Sequence, residues 1–162
     1  MNCPINTPAA SVFIGCEYHA MTTPPIDLTS LRKALAQFRE AIGFWQACKP
    51  VDPLKPHLRS AVIQSFEFTY ELAVRSTRRV LIERAESAEL LRDLSFSDLL
   101  RRALDAGLPM PVDAWRRWRD LRNSTSHAYD EERALEVALA ASGFVADVDV
   151  LLAHLDSQAD TS

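Results

Sequence analysis

The stretch between residues 55 and 84 constrains the fold of this chain more than any other part of the sequence. Apolar residues recur along it at helical spacing and form two separate stripes. The first stripe consists of Leu58, Val62, Phe66, Ala73 and Val80, and the second of Ile63, Tyr70 and Leu81. Because a helix that is apolar on more than one side must be covered on more than one side, this stretch is predicted to be the central helix of a bundle.

Two further helices are predicted on either side of this central one. The first begins at the capping residues Asp27, Thr29 and Ser30 and ends near Cys48, before two prolines. A shorter helix begins near Ser95 and ends at Gly107, the usual position of a left-handed cap.

The C-terminal part of the chain predicts two more helices. One begins near Pro111, buries Trp115 and Trp118, and loosens in the run Ser124–Ser126, whose hydroxyls compete for backbone hydrogen bonds. The last is capped by Asp130. Its apolar stripe consists of Leu135, Leu139, Val145, Val148, Leu152 and Leu155.

Length and composition agree with one helical domain. The chain has 162 residues, of which 48% are hydrophobic and only four are glycine, so a buried core is possible and a turn-rich β fold is disfavoured. We therefore expect an all-α protein, an up-and-down four-helix bundle with an additional short helix. The bundle should span residues 26–157, between a mobile leader at 1–25 and a tail at 158–162.

Charge and cysteine content narrow the functional classes. The net charge is -4, so any contact with RNA must be local rather than spread over a basic surface. No stretch approaches the roughly 20 apolar residues that cross a bilayer, and no membrane association is expected. Cys3, Cys16 and Cys48 lack metal-ligand spacing, which favours a reducing cytoplasmic compartment.

The segment from Arg122 to Tyr129 holds the residue types that RNA phosphodiester chemistry requires. Histidine can take or give a proton near neutral pH, and the planar guanidinium of arginine matches phosphate oxygens. In a regular helix Arg122 and His127 would diverge by about 140°, so they converge only if the Ser-Thr-Ser run unwinds or the arginine reaches round. Arg119, Arg122, Ser126 and Tyr129 could share one polar stripe.

A single histidine does not supply both a base and an acid. A two-fold homodimer would solve this problem by bringing two copies of the segment to one cleft. His127 of one copy would then act as the base and the partner's His127 as the acid.

Two segments, residues 63–81 and 114–131, carry a resemblance to a known family. Together with the pattern Arg122-x4-His127-x-Tyr129, they are similar to the HEPN domain family. Within it, the chain resembles toxin subunits paired with minimal nucleotidyltransferase (MNT) antitoxins, in the subfamily called nucleotidyltransferase substrate-binding proteins. The resemblance covers roughly residues 28–156.

The resemblance implies a HEPN-like bundle that acts as a homodimeric, metal-independent endoribonuclease on RNA, without a cofactor. Arg122 and His127 match the catalytic pair of the family, and Asn123 matches the polar residue beside the arginine. Tyr129 matches the tyrosine to which the partner nucleotidyltransferase transfers AMP, which silences the toxin. Glu71 matches an acidic residue of the second helix and would tune His127 or position Arg122.

Other interpretations of the same residues remain open. The protein could be a non-catalytic subunit that binds nucleotide or substrate for a separate nucleotidyltransferase, or a dimeric scaffold with a vestigial groove. His127 could be a helix-end residue bonded to a carbonyl, and the arginines an ordinary solvated face. Glu67 and Glu71 lie four residues apart but have no histidine at ligand spacing, so we expect no metal site there.

Overall fold

The computed structural model describes residues 27–84, 94–125 and 130–159. Within those ranges the chain forms six helices and no β-strand. They are α1 (Thr29–Ala47), α2 (Lys55–Arg84), α3 (Phe96–Asp105), α4 (Val112–Ser124), α5 (Glu131–Ala141) and α6 (Phe144–Ala159). The all-α class and the bundle architecture are therefore confirmed, and α2 has the predicted bounds.

Helix α2 lies at the centre of the bundle because its apolar residues are buried on more than one side. Val62, Phe66, Ala73 and Val80 are fully buried, and they pack in one core with residues from all the other helices. The centre of this core is a group of aromatic rings. Phe144 of α6 meets Phe66 and Trp115 edge-on, each at a centroid distance of 5.4 Å, a geometry that adds about 1 kcal/mol per pair to area burial.

Two helices begin at capping residues that the sequence predicts, whereas α1 has Leu28 at its N-cap position, and Asp27 accepts a hydrogen bond from the backbone N–H of Thr29. Ser95 accepts a hydrogen bond from the backbone N–H of Asp98 at the start of α3, and Asp130 accepts one from Glu132 at the start of α5. Gly107 follows α3 with a φ of 77°, the left-handed conformation expected of a C-terminal cap. Helix α4 ends at Ser124, where the hydroxyl-rich run was expected to loosen it.

The prediction of one continuous last helix is wrong. The chain turns at Ser142 and Gly143, which separate α5 from α6. Leu135 and Leu139, which the continuous stripe placed in the core, are 42% and 61% exposed. Helix α5 instead buries four other residues against the rest of the bundle. Those residues are Ala134, Val137, Ala138 and Ala141.

The expected leader, residues 1–25, lies outside the described residues. At the other end α6 continues to Ala159, two residues into the expected tail. None of the helices in the described part of the chain is both long enough and apolar enough to cross a membrane.

Two glycines in the described ranges offer a matched test of this backbone description. Neither would meet an atom within 4 Å if a Cβ were added, so the effect of alanine depends on backbone conformation alone. At Gly107 the positive φ makes alanine unfavourable, and Gly107→Ala should lower the free energy of unfolding by about 1–2 kcal/mol. At Gly43, inside α1, alanine should raise it by about 0.5–1 kcal/mol. Urea denaturation measures the change in the free energy of unfolding for each variant. A change of the same sign in both would contradict the assigned backbone conformations.

Candidate functional site

The C-terminal end of α4 meets the middle of α2 through an ion pair. The Nη2 atom of Arg122 lies 3.0 Å from Oε1 of Glu71. The two side chains are 41% and 50% exposed, so the pair contributes at most about 1 kcal/mol to stability. Its clearer effect is geometric, because the carboxylate fixes the direction of a long and otherwise flexible arginine side chain.

The guanidinium of Arg122 is only partly satisfied by this contact. Its Nε atom is buried, and within the described residues it has no hydrogen-bond partner. A guanidinium has five N–H donors in a planar fork, and Glu71 engages the fork at Nη2. Because the side chain is still 41% exposed, it can be reached by an anionic ligand such as a phosphate group.

A second contact between the same helices involves Glu67 and Thr125. Thr125 follows the last residue of α4 and is buried, and its hydroxyl donates to a carboxylate oxygen of Glu67. The same hydroxyl lies 2.6 Å from the carbonyl oxygen of Arg122. Sequence reasoning missed this contact, since it treated Thr125 only as a poor helix former and Glu67 only as a candidate metal ligand. The one available signal was that Glu67 precedes Glu71 by one helical turn.

The remaining predicted site residues are distributed as follows. Asn123 is exposed on the last turn of α4, next to Arg122. Arg119 lies over the ring of Phe96 in α3, with its guanidinium carbon 4.8 Å from the ring centroid, a cation–π contact. Arg119 therefore contacts α3, whereas Arg122 contacts α2. Ser126, His127 and Tyr129 lie outside the described residues.

Tyr70, beside Glu71 in α2, is not a candidate acid or base. Burial in the aromatic core raises the pKa of Tyr70 to about 12, and the positive charge of Arg119 opposes this shift only in part. The phenol therefore stays protonated at neutral pH, which is consistent with a packing role against Phe66 and Trp115.

Among residues 27–84, 94–125 and 130–159, no group of three or more histidine, cysteine or acidic side chains is arranged to hold a metal ion. Glu67 and Glu71 are instead engaged by Thr125 and Arg122.

Comparison with known proteins places this helical fold in a defined class. A family model described as nucleotidyltransferase substrate binding protein like matches residues 26–157. The chain belongs to this family, which is of the HEPN type.

A named protein and a solved structure, both from Haemophilus influenzae, are similar to this chain. The protein, named probable ribonuclease HepT, is 38% identical over 98 residues, which cover 60% of this chain and 67% of that protein. The solved structure, described as the fold of a substrate binding domain of a nucleotidyltransferase, is 29% identical with a TM-score of 0.71. The match covers 80% of this chain and 99% of the chain in that structure.

Proposed function

We propose that this protein is a metal-independent endoribonuclease, the toxin of a toxin–antitoxin pair whose other member is an MNT-type nucleotidyltransferase. The observation that carries the proposal is the orientation of Arg122 by Glu71 at the end of α4, five residues before His127. A relative named as a probable ribonuclease supports the same reaction class.

In the proposed reaction, Arg122 binds the scissile phosphate of RNA and His127 removes the proton from the adjacent 2′-hydroxyl. The 2′-oxygen then forms a bond to phosphorus while the bond from phosphorus to the 5′-oxygen breaks. The leaving oxygen takes a proton from a second acid, and the product carries a cyclic phosphate. Arg122 stabilises the negative charge on the phosphate oxygens as the two bonds exchange.

The second acid is proposed to be the partner's His127 in a two-fold homodimer. An exposed aromatic side chain on α2 supports an interface at this place. Phe68 is 60% exposed and lies three residues before Glu71, so both occupy the same side of the helix. A second copy of the chain would bury this ring and bring its own α4 end to the same cleft.

The proposed control by the nucleotidyltransferase acts through Tyr129. Transfer of AMP from ATP would form a bond between the Tyr129 oxygen and the α-phosphorus and would release pyrophosphate and the hydroxyl proton. The attached phosphate adds negative charge seven residues after Arg122. That phosphate would compete with the RNA phosphate for the guanidinium and so silence cleavage.

A second candidate function is a non-catalytic subunit that binds substrate or nucleotide for a separate nucleotidyltransferase. The observation that favours it is the description of the similar solved structure as a substrate binding domain. In that case the exposed guanidinium of Arg122 would bind the phosphates of a nucleotide, and no RNA would be cleaved.

Substitution of Arg122 or His127 distinguishes the two functions. If the protein is a ribonuclease, Arg122→Ala and His127→Ala should each lower RNA cleavage at least about 100-fold, since each removes a group needed in the transition state. Arg117→Ala removes the same charge from an exposed position of α4 and should cleave at the wild-type rate. Gel analysis of a labelled RNA measures the rates. No cleavage by the wild-type protein, together with loss of partner activity in Arg122→Ala, would favour the binding subunit.

Modification by the partner can be tested by mass spectrometry. Incubation with a nucleotidyltransferase encoded next to this protein, with ATP and magnesium, should add the mass of AMP to the wild-type chain. The modified protein should lose RNA cleavage. Tyr129→Phe removes the accepting hydroxyl and should gain no mass, whereas full modification of that variant would refute the assignment of Tyr129.

The proposed interface can be tested with two phenylalanines of similar exposure. Phe68→Asp places a charge in the interface and should convert the dimer to a monomer. Phe44→Asp changes a ring on α1 that is 58% exposed and should leave the dimer intact. Light scattering after size-exclusion chromatography measures both masses, and a wild-type monomer that cleaves RNA at full rate would contradict the shared site.

A further inference from the structure

Two acidic residues of α2 contact two residues at the end of α4 in reverse order. Glu71 pairs with Arg122, and Glu67, one helical turn earlier, accepts a hydrogen bond from Thr125, three residues later. The contacts therefore run in opposite directions along the two helices, as expected where α2 and α4 pass antiparallel. The junction therefore has two points of attachment, and two points fix both the distance and the orientation of the α4 end.

The two attachments differ in their surroundings. The Glu71–Arg122 pair is about half exposed, whereas Thr125 is only 9% exposed. A hydroxyl buried without a hydrogen bond is unfavourable, so Thr125 needs an acceptor to stay in this place. Within the described part of the chain, the one hydrogen of this hydroxyl is donated to the Glu67 carboxylate, and the carbonyl oxygen of Arg122 lies beside it.

The carbonyl of Arg122 belongs to the last turn of α4, and it accepts a hydrogen bond from the backbone N–H of Thr125. The Thr125 hydroxyl lies within hydrogen-bonding distance of this carbonyl while it also contacts Glu67. Thr125 therefore connects the backbone of Arg122 to α2, because its N–H donates to the Arg122 carbonyl and its hydroxyl donates to Glu67. Glu71 connects the side chain of Arg122 to the same helix. Both the backbone and the guanidinium of Arg122 are thereby held against α2.

We propose that Glu67 is a positioning residue that acts through Thr125 to fix the backbone of Arg122 and the point where the chain leaves α4. This inference rests on the proposed ribonuclease function, because Arg122 is the group it positions. Glu67 does not touch the RNA; its carboxylate serves as a hydrogen-bond acceptor, so the acceptor oxygen matters and the negative charge does not. Removal of this contact should slow the chemical step and leave RNA binding nearly unchanged.

Four variants test the proposal in the full-length protein. Thr125→Val keeps the shape of the side chain but lacks the hydroxyl, and Glu67→Ala lacks the acceptor. Each should lower kcat for a labelled RNA by about 10- to 100-fold with little change in KM, the size expected when a catalytic group is misplaced. Thr125→Ser and Glu67→Gln retain a hydroxyl and an acceptor oxygen respectively, and they should restore most of the lost kcat.

A control and a double variant separate positioning from general damage to the helix end. Ser124→Ala removes a neighbouring hydroxyl, which contacts only the carbonyl of Leu121 among the described residues, and it should cleave like the wild type. The double variant Glu67→Ala/Thr125→Val should be no slower than either single variant, because both remove the same contact. Multiplied losses in the double variant, or a Glu67→Gln variant as slow as Glu67→Ala, would overturn the proposal.

A readout without RNA keeps this inference distinct from the ribonuclease assignment. Amide hydrogen exchange at residues 121–125 should be faster in Thr125→Val and Glu67→Ala than in the wild type, and unchanged in Glu67→Gln. If the wild-type protein cleaves no RNA, the proposed function fails whatever the exchange shows. If exchange at the α4 end is unchanged in Thr125→Val, the contact does not hold the backbone and the positioning role fails, even in an active ribonuclease.

Discussion

The burial of Phe66 and Tyr70 in α2 is the packing interaction on which the candidate site depends. Both rings contact Phe144, and Tyr70 also contacts Trp115, so together they fix the rotation of α2 within the bundle. Glu67 and Glu71 each follow one of these rings in the sequence, about 100° further round the helix. Once the rings are buried, the two carboxylates are therefore carried to a neighbouring side, where the end of α4 meets them. The core thus sets the direction of the polar groups as well as the stability of the fold.

Stability and candidate function are separated along α4. Trp115 is fully buried, and the indole N–H of Trp118 donates to Asp147 of α6 at 2.5 Å, so the first half of the helix anchors it in the bundle. Arg122 lies seven residues after Trp115, which places it on the same side of the helix but beyond the apolar core. It therefore reaches Glu71 at the surface without contributing much to folding. A substitution at Arg122 should accordingly change function while the fold persists.

The parts of the structure that the sequence predicts are those encoded by local chemistry. Apolar spacing predicts α2, and residues such as Ser95, Gly107 and Asp130 mark helix ends because each satisfies or terminates a backbone hydrogen-bond pattern locally. The turn at Ser142 and Gly143 was missed although a Ser-Gly dipeptide is a local turn signal, because the apolar residues on both sides continue one stripe. The contact of Glu67 with Thr125 was missed in the same way, whereas the pairing of Glu71 with Arg122 was one of two roles that only the family resemblance offered. Spacing shows which residues share a face of one helix, but it does not show which residue of another helix lies opposite.

The Glu71 carboxylate beside Arg122 bears on how an acidic protein would handle RNA. A carboxylate at 3.0 Å weakens the attraction of a guanidinium for the negative phosphate of a bound substrate, and the overall charge of -4 adds no general attraction. The same carboxylate holds the guanidinium in one orientation, so its interaction with the phosphate is set before the charge on the oxygens develops. Under the proposed function, the Glu71 carboxylate lowers the affinity of the site for RNA in the ground state, whereas the oriented guanidinium still stabilises the transition state. This combination favours turnover over tight binding. A site with such modest attraction for RNA phosphate is also easily blocked by a phosphate attached to the chain, as the proposed modification of Tyr129 requires.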